Sequence, residues 1–392
     1  MNENPIDARD AAAAGFKALE RGELAVARAS LERAIAQGAA DAGICFALSR
    51  VHHRSGAAAE EGAALDETLK LDPHHVPALI AKGDLYSAMQ EVRAAAAYYR
   101  GAIDVAANLQ SLPAELRREL RRAEDACERF ARSYESHLLK ALVGQGLADP
   151  GTERFMHAVD LLLGKKQIYF QQPKHFFFPE LPQIQFYDRR LFPWTEKLAR
   201  KTGLIRDELR AILSSANAFV PYIQRAAHRP AFDPRGLLDN PDWGAFHLVK
   251  SGAEVAENAA RCPHTLAALR DVPLCEIEGR TPTVLFSLLR PGAHILPHHG
   301  FMNTRLICHL PLIVPPGCAL RVGNETRPWR EGEIVIFDDT IEHEAWNPTQ
   351  ELRVVLIFDV WRPELSAKER ALVATMLKAI DQFGGPRREW TD

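Results

Sequence analysis

Along the first third of the chain, apolar residues return every three or four positions between Glu, Arg and Lys, and proline is sparse. This spacing predicts helix through residues 1 to about 140. The stretch "LPAELRRELRRAEDACERFARSYESHLLKALVG" continues it as one or two long amphipathic helices whose RR, EL and ED pairs form a solvated face. From Lys174 the pattern breaks, and prolines and aromatics crowd "PKHFFFPELPQIQFYDRRLFPW". Beyond Thr281, short β-rich runs alternate with turn residues, predicting strands over 281–290, 305–314, 333–339 and 353–361, with 320–325 continuing to a hairpin. By the period of two, Arg305, Ile307 and His309 share one strand face, as do Arg353, Val355 and Ile357. Short antiparallel strands at this spacing predict a double-sheet jelly roll.

The helical part also carries a repeat of 34 residues. Gly15, Ser49 and Gly83 are spaced by 34, and so are Ala27, Glu61 and Ala95, Leu31, Leu65 and Tyr99, and Ala34, Thr68 and Ala102. Small residues let two helices approach, and the large residue of the third set fills the groove between them. This pattern resembles tetratricopeptide repeats, three copies over residues 8 to about 109, with an irregular middle copy at Glu61. An Ala-rich bundle with fortuitous periodicity is the other reading of the same spacing. Repeats of this kind imply a surface for a peptide or protein partner, or for a neighbouring domain.

With 392 residues, two domains are expected. The expected fold class is α+β multidomain: helical repeats over 1–110, a helical connector over 111–150 and a double-stranded β-helix domain over 151–392. A formal charge of -3 leaves no basic footprint for nucleic acid. The six cysteines form no CxxC pair, and no apolar run approaches the roughly 18 residues that a membrane span needs. The first residues, "MNENPIDARDAAAAG", lack the basic start and apolar run of a secretory signal, so the cytoplasm is the expected compartment.

Candidate chemistry concentrates in "PGAHILPHHGFMNTRLICHL" (291–310), with four histidines at 294, 298, 299 and 309. In barrels of this kind a metal often sits on a His after one strand and a second His before the last strand. His298 follows Pro297 at a strand exit. His343 is the member of "EHE" that faces inward if the segment is extended, with Glu342 and Glu344 pointing the other way. His294 reads as a strand-end or core histidine satisfied by backbone, and His299 as pointing away from its neighbour. The pairs His52-His53 and His74-His75 read as surface residues of the repeats.

At these residues a resemblance becomes specific. The segment "PGAHILPHHG…IFDDTIEHEAWN…VVLIFDVWRPEL" (291–365) resembles the aspartyl/asparaginyl β-hydroxylase family of Fe(II)- and 2-oxoglutarate-dependent dioxygenases, whose animal members also carry tetratricopeptide repeats. The resemblance implies His298 and His343 as iron ligands and catalytic residues. It implies Ser287 and Arg353 as the grip on the distal carboxylate of 2-oxoglutarate, and His309 beside that molecule's metal-binding end. O2 is the co-reactant, with succinate and CO2 as co-products. An inward Arg353 among apolar residues needs an anionic partner, because a buried, unanswered charge costs several kcal/mol.

Common 2-oxoglutarate oxygenases read His-x-Asp, whereas this chain has Gly300 at the Asp position; the family it resembles likewise holds iron with two histidines. Asp338 or Asp339 swinging in as a third ligand is a weaker alternative to supporting or turn roles for both. One departure bears on the substrate. The family commonly reads HxGPTNxRLRxHL, but this chain has Phe301 and Met302 for Pro-Thr and Ile307 for an Arg. The expected substrate is a peptide, protein or amino-acid-like molecule whose target group is less acidic than aspartate, with Arg305 as one anchor. A lipid acyl-chain hydroxylase of the same family, or a repeat scaffold with an inactive barrel, are the alternatives. The segment 238–269 is expected to line or roof the pocket.

Overall fold

The structure, a computed structural model, describes residues 5–147, 149–215, 217–225, 236 and 238–383; the first four residues of the N-terminal segment read above lie outside the described residues. The chain divides into two units, Met1–Leu163 and Gly164–Asp392.

The first unit is built from helix pairs: α1 (Pro5–Arg21) with α2 (Leu24–Ala36), α3 (Ala42–Arg54) with α4 (Ala58–Leu71), and α5 (Val76–Ala88) with α6 (Val92–Ala107). The 34-residue sets meet as their sizes require. A Cβ on Gly15 would lie 2.7 Å from Leu31, and one on Gly83 would lie 2.6 Å from the Tyr99 ring, so each glycine admits the large residue of its partner helix. This small-against-large contact repeats at the repeat period, which accidental periodicity does not supply. Glu61, the irregular position, is buried and meets His53 Nδ1 at 3.1 Å. His52 corrects the surface reading of its pair: it is buried. The stretch after the repeats forms one continuous helix, α7 (Ala114–Val143), which lays Leu120, Ala123 and Ala126 into the core of the third pair; α8 (Glu153–Leu162) follows.

The second unit is two antiparallel sheets with helices on one side. Its elements are α9 (Trp194–Ala199), α10 (Thr202–Leu213), β1 (Val220–Pro221), β2 (Trp243–Lys250), β3 (Ala253–Glu254), α11 (Ala256–Ala260), α12 (Pro263–Leu269), β4 (Val284–Leu289), β5 (His294–His298), β6 (Arg305–Ile313), β7 (Ala319–Val322), β8 (Glu325–Pro328), β9 (Val335–Phe337), β10 (His343–Trp346), β11 (Arg353–Trp361) and α13 (Ala367–Gln382). The larger sheet runs β1-β2-β4-β11-β6-β9 with β3 on β2, and the smaller runs β5-β10-β7-β8. From β4 to β11 the chain thus passes back and forth between two four-strand layers, the winding of a double-stranded β-helix.

The larger sheet is buried on both faces, so its strands are nearly continuous apolar runs. Val354, Leu356 and Phe358 pack with Phe286, Leu306 and Cys308 under Leu198, Ile205, Leu209 and Leu269 of the helices. Val355, Ile307 and Ile357 of the opposite face pack with Leu320, Val322, Ala345 and Ile295 of the smaller sheet. Alternation therefore sends Arg305, His309, Ser287 and Arg353 toward the space between the sheets, along with the apolar residues that line it. Among the described residues, no helix is long and apolar enough to cross a membrane.

Candidate metal and co-substrate site

Pairing of β5 with β10 places His298 directly opposite His343. Their rings lie 4.0 Å apart between centroids. His298 Nδ1 is 2.8 Å from the Leu296 carbonyl and His343 Nδ1 is 3.1 Å from the Ile341 carbonyl. A carbonyl only accepts, so each Nδ1 donates, and a ring in its neutral form then carries its lone pair on Nε2, the atom a metal would take. Burial first, and the neighbouring His298 second, push the His343 pKa well below its ordinary value, which keeps that ring neutral. Glu342 and Glu344 do face away, and both are gripped by Arg321 of β7, with Arg321 Nη2 at 2.9 Å from Glu342. Fixing both neighbours of His343 fixes its strand. His294 corrects the backbone reading: it is exposed, and its Nε2 meets Glu344 at 2.7 Å.

Both histidines line a cavity of about 580 Å³. Ser287, Arg305, Ile307 and His309 line it as well, so the period-two reading of β6 holds for all three of its residues. His299 also lines it, as do Trp243, His247, Lys250 and Ser251 from the 238–269 segment. Arg353 is buried and stands outside the lining, next to Ser287, whose carbonyl accepts from its Nη1 at 3.3 Å.

An unanswered cluster surrounds this corner. His309 Nδ1, Trp329 Nε1 and Arg353 Nε are all buried without a hydrogen-bond partner among the described residues. The Arg353 guanidinium lies 4.6 Å from the Trp329 ring, whose centroid is 5.8 Å from that of His309. No carboxylate pairs with Arg353 among the described residues, and burial pulls its pKa down to about 9, still charged at neutral pH. Burial, then Arg353, pull His309 down to about 3. Each buried polar group left unpaired costs about 1–3 kcal/mol, so the corner suits an anionic acceptor such as a carboxylate. The residues therefore fit a two-imidazole metal ion with a dicarboxylate co-substrate beside it.

The missing third ligand has a steric reason. A Cβ at Gly300 would lie 2.1 Å from Asp339 Oδ2, so the Asp339 carboxylate fills the space in which a side chain at position 300 would start. Asp338 is held elsewhere, accepting from Arg362 Nη1 at 2.9 Å, Gln171 Nε2 at 2.6 Å and Thr340 Oγ1 at 2.6 Å. Among the described residues no group of three or more His, Cys, Asp or Glu is placed to hold a metal; the candidate centre is a pair.

Arg305 is not left for an anion. Its Nη1 lies 3.1 Å from Asp359 and its Nη2 lies 3.5 Å from Asp339. Burial lowers this guanidinium, but Asp359 and then Asp339 outweigh it and hold it above its ordinary value. Sequence reasoning missed Asp359, Trp329 and Trp243. Trp243 Nε1 donates to Ser287 Oγ at 3.2 Å, its ring lies 6.2 Å from that of His298, and Tyr222 stacks on it at 4.0 Å. Asp359 could have been found, since the period of two puts it on the Arg353 face; nothing in the local pattern marks either tryptophan.

Fold and site together define a double-stranded β-helix protein with a two-histidine centre. Residues 199–363 match the family model described as aspartyl/asparaginyl beta-hydroxylase, which bears out the resemblance read from the histidine segment. Human aspartyl/asparaginyl beta-hydroxylase is 37% identical over 179 residues, covering 45% of this chain and 22% of that protein. The ornithine lipid ester-linked acyl 2-hydroxylase of Rhizobium tropici is 36% identical over 185 residues, 45% of this chain and 60% of that one. Human aspartate beta-hydroxylase domain-containing protein 2 is 32% identical, with 56% of each chain covered. The chain thus spans between 22% and 60% of the length of these three relatives. The C-terminal unit is similar to hydroxylases. Among solved structures, the Arabidopsis OM64 TPR domain aligns with 32% of this chain and 98% of its own at 15% identity and a TM-score of 0.29.

Proposed function

We propose that the C-terminal unit is an Fe(II)- and 2-oxoglutarate-dependent dioxygenase. It hydroxylates an unactivated C–H of a peptide or protein side chain, or of an amino-acid-like small molecule. The net reaction is R–H + O2 + 2-oxoglutarate giving R–OH + succinate + CO2. The observation that carries this reading is the His298–His343 pair on the wall of the cavity, with both Nδ1 atoms committed to backbone carbonyls.

In this reading His298 and His343 hold iron through Nε2, and the metal supplies activation of O2. Ser287 and His309 meet the co-substrate, and Arg353 supplies the positive charge that its carboxylate answers. Trp243 holds the Ser287 hydroxyl and packs near His298, so binding at one end of the site is braced against the other. The apolar walls, Ile295, Leu320, Phe337 and Ile357, keep water from the reacting centre. The repeats of the first unit are proposed to bind a peptide or protein partner, and the cytoplasm is the proposed compartment.

A second reading, hydroxylation of a lipid acyl chain, is favoured by the 36% identity to the Rhizobium tropici acyl 2-hydroxylase. Anaerobic titration with Fe(II) and 2-oxoglutarate decides whether the centre exists. A visible charge-transfer band is expected in the wild type and absent in His298→Ala, His343→Ala and Arg353→Ala. A folded wild type without the band sinks the dioxygenase reading and makes the repeat scaffold with an inactive barrel the leading account.

A further inference from the structure

His298 is the last residue of β5 and His343 the first of β10, and the ladder between the two strands shifts register just past His343. Each histidine therefore stands where a strand gives way to a loop, 299–304 after His298 and 338–342 before His343. Strand pairing alone does not hold those loops.

A ring of buried hydrogen bonds joins them. Arg362, which follows β11, donates from Nη1 to the Asn303 carbonyl at 3.1 Å and to Asp338 Oδ2 at 2.9 Å, so a single guanidinium nitrogen bridges the two loops. Gln171 closes the ring: its Nε2 donates to Asp338 Oδ2 at 2.6 Å, and its Oε1 accepts from Asn303 Nδ2 at 2.9 Å. All four residues are buried, where charge-assisted bonds are strong and directional.

The ring reaches the histidines through the backbone. Asp338 Oδ1 accepts from Thr340 N at 3.0 Å and from Thr340 Oγ1 at 2.6 Å. These bonds shape the turn that carries the Ile341 carbonyl, the acceptor of His343 Nδ1. On the other loop, Lys174 N donates to the Gly300 carbonyl at 2.9 Å, and Asn303 exchanges two bonds with the backbone of Phe178. Gln172 N donates to the Thr340 carbonyl at 2.7 Å, so segment 171–178 is tied to both loops.

Resting on the metal-centre reading above, we infer that Asp338, held by Arg362 and Gln171, is a positioning residue for the two-histidine centre: it sets the carbonyl that aims His343 and locks that loop to the one that follows His298. Its action is indirect. By fixing the acceptor of Nδ1 it fixes where Nε2 points.

The test titrates the full chain with Co(II) alone, followed by the visible absorption of the metal, and measures the metal-free Tm beside it. Thr340→Val removes a hydroxyl from the turn and Gln171→Leu opens the ring. Neither strips Arg362 of its buried carboxylate, a loss that would destabilise the fold for a separate reason. Each is expected to weaken Co(II) binding about tenfold and to shift the absorption band, whereas Thr340→Ser, which keeps the hydroxyl, binds as wild type. Leu209→Ala, a deletion in the core under the helices, is expected to lower Tm and leave Co(II) binding unchanged. Ring variants that lower Tm but bind Co(II) as wild type does overturn the inference and make the ring a stabiliser of the fold. So does a Leu209→Ala protein that loses as much affinity as Thr340→Val, or a Thr340→Ser protein that fails to recover it. A wild type that binds no Co(II) sinks the metal centre and the inference together, whereas variants that match a binding wild type sink the inference alone.

Discussion

Arg353 and Trp329 meet in the interior with the guanidinium 4.6 Å from the indole ring, and each keeps a buried N–H without a hydrogen-bond acceptor. A fold does not leave two donors in this state for packing alone. In the proposed reading, the carboxylate of the co-substrate is the acceptor that this corner receives.

Replacing Arg353 separates folding from function. Arg353→Met removes a buried charge with no carboxylate partner, so the ligand-free protein is expected to melt no lower than wild type. The same variant is expected to lose the rise in Tm that 2-oxoglutarate with a redox-inert divalent metal gives the wild type. Thermal melts with and without both ligands check this; a large drop in the ligand-free Tm would mean that Arg353 is structural.

His309 sets a pH dependence whose sign can be worked out. Its pKa falls from an ordinary 6.5 to about 3 through burial and Arg353, so between these values the unfolded chain binds a proton that the folded chain does not. Stability from this group is complete above about pH 6.5 and declines as pH falls toward 3. Denaturant unfolding of wild type and His309→Gln from pH 7 to 4 should show the shallower decline in the variant. Parallel curves would contradict a buried neutral His309.

Gly300 and Asp339 should couple. Gly300→Ala places a methyl 2.1 Å from the Asp339 carboxylate and is expected to destabilise by about 1–3 kcal/mol. In an Asp339→Gly background the clash is gone, and the same change should cost less than half as much. Chemical denaturation of the four proteins gives the cycle, and additive costs would show that the two positions do not touch.

In the repeats, Gly83→Ala drives a methyl into the Tyr99 ring at 2.6 Å, with an expected loss of about 1–3 kcal/mol. Gly56→Ala makes the comparison: it meets nothing within 4 Å, and its positive φ of 71° alone should account for its cost. Tyr99→Leu should relieve the Gly83 penalty. Circular-dichroism melts of the series decide whether the 34-residue set is a packing register.

Much of this architecture follows from one-dimensional pattern. Period two sorts β6 and β11 into a face under the helices and a face toward the smaller sheet, and Arg305, Ile307 and His309 all line the cavity as that alternation demands. The 34-residue spacing sorts small from large in the same way, because an interface repeated along a chain leaves a repeated requirement for size. His343 between two outward glutamates is likewise a local reading, since neighbours on an extended strand must face apart.

What local pattern could not reach lies in the pairing of distant segments. Nothing near residue 305 reveals that its charge is answered from residues 339 and 359, and nothing near residue 353 reveals that its own meets no carboxylate among the described residues. His52 and His294 were misplaced for the same reason: burial and partnership depend on which element packs across from a residue. The sequence alone determined which residues of β6 and β11 face the smaller sheet, because side-chain direction follows from backbone geometry within a single strand. Only the tertiary structure decided which inward charges meet a carboxylate and which do not among the described residues, because electrostatic partners are set by proximity in space and not by spacing along the chain.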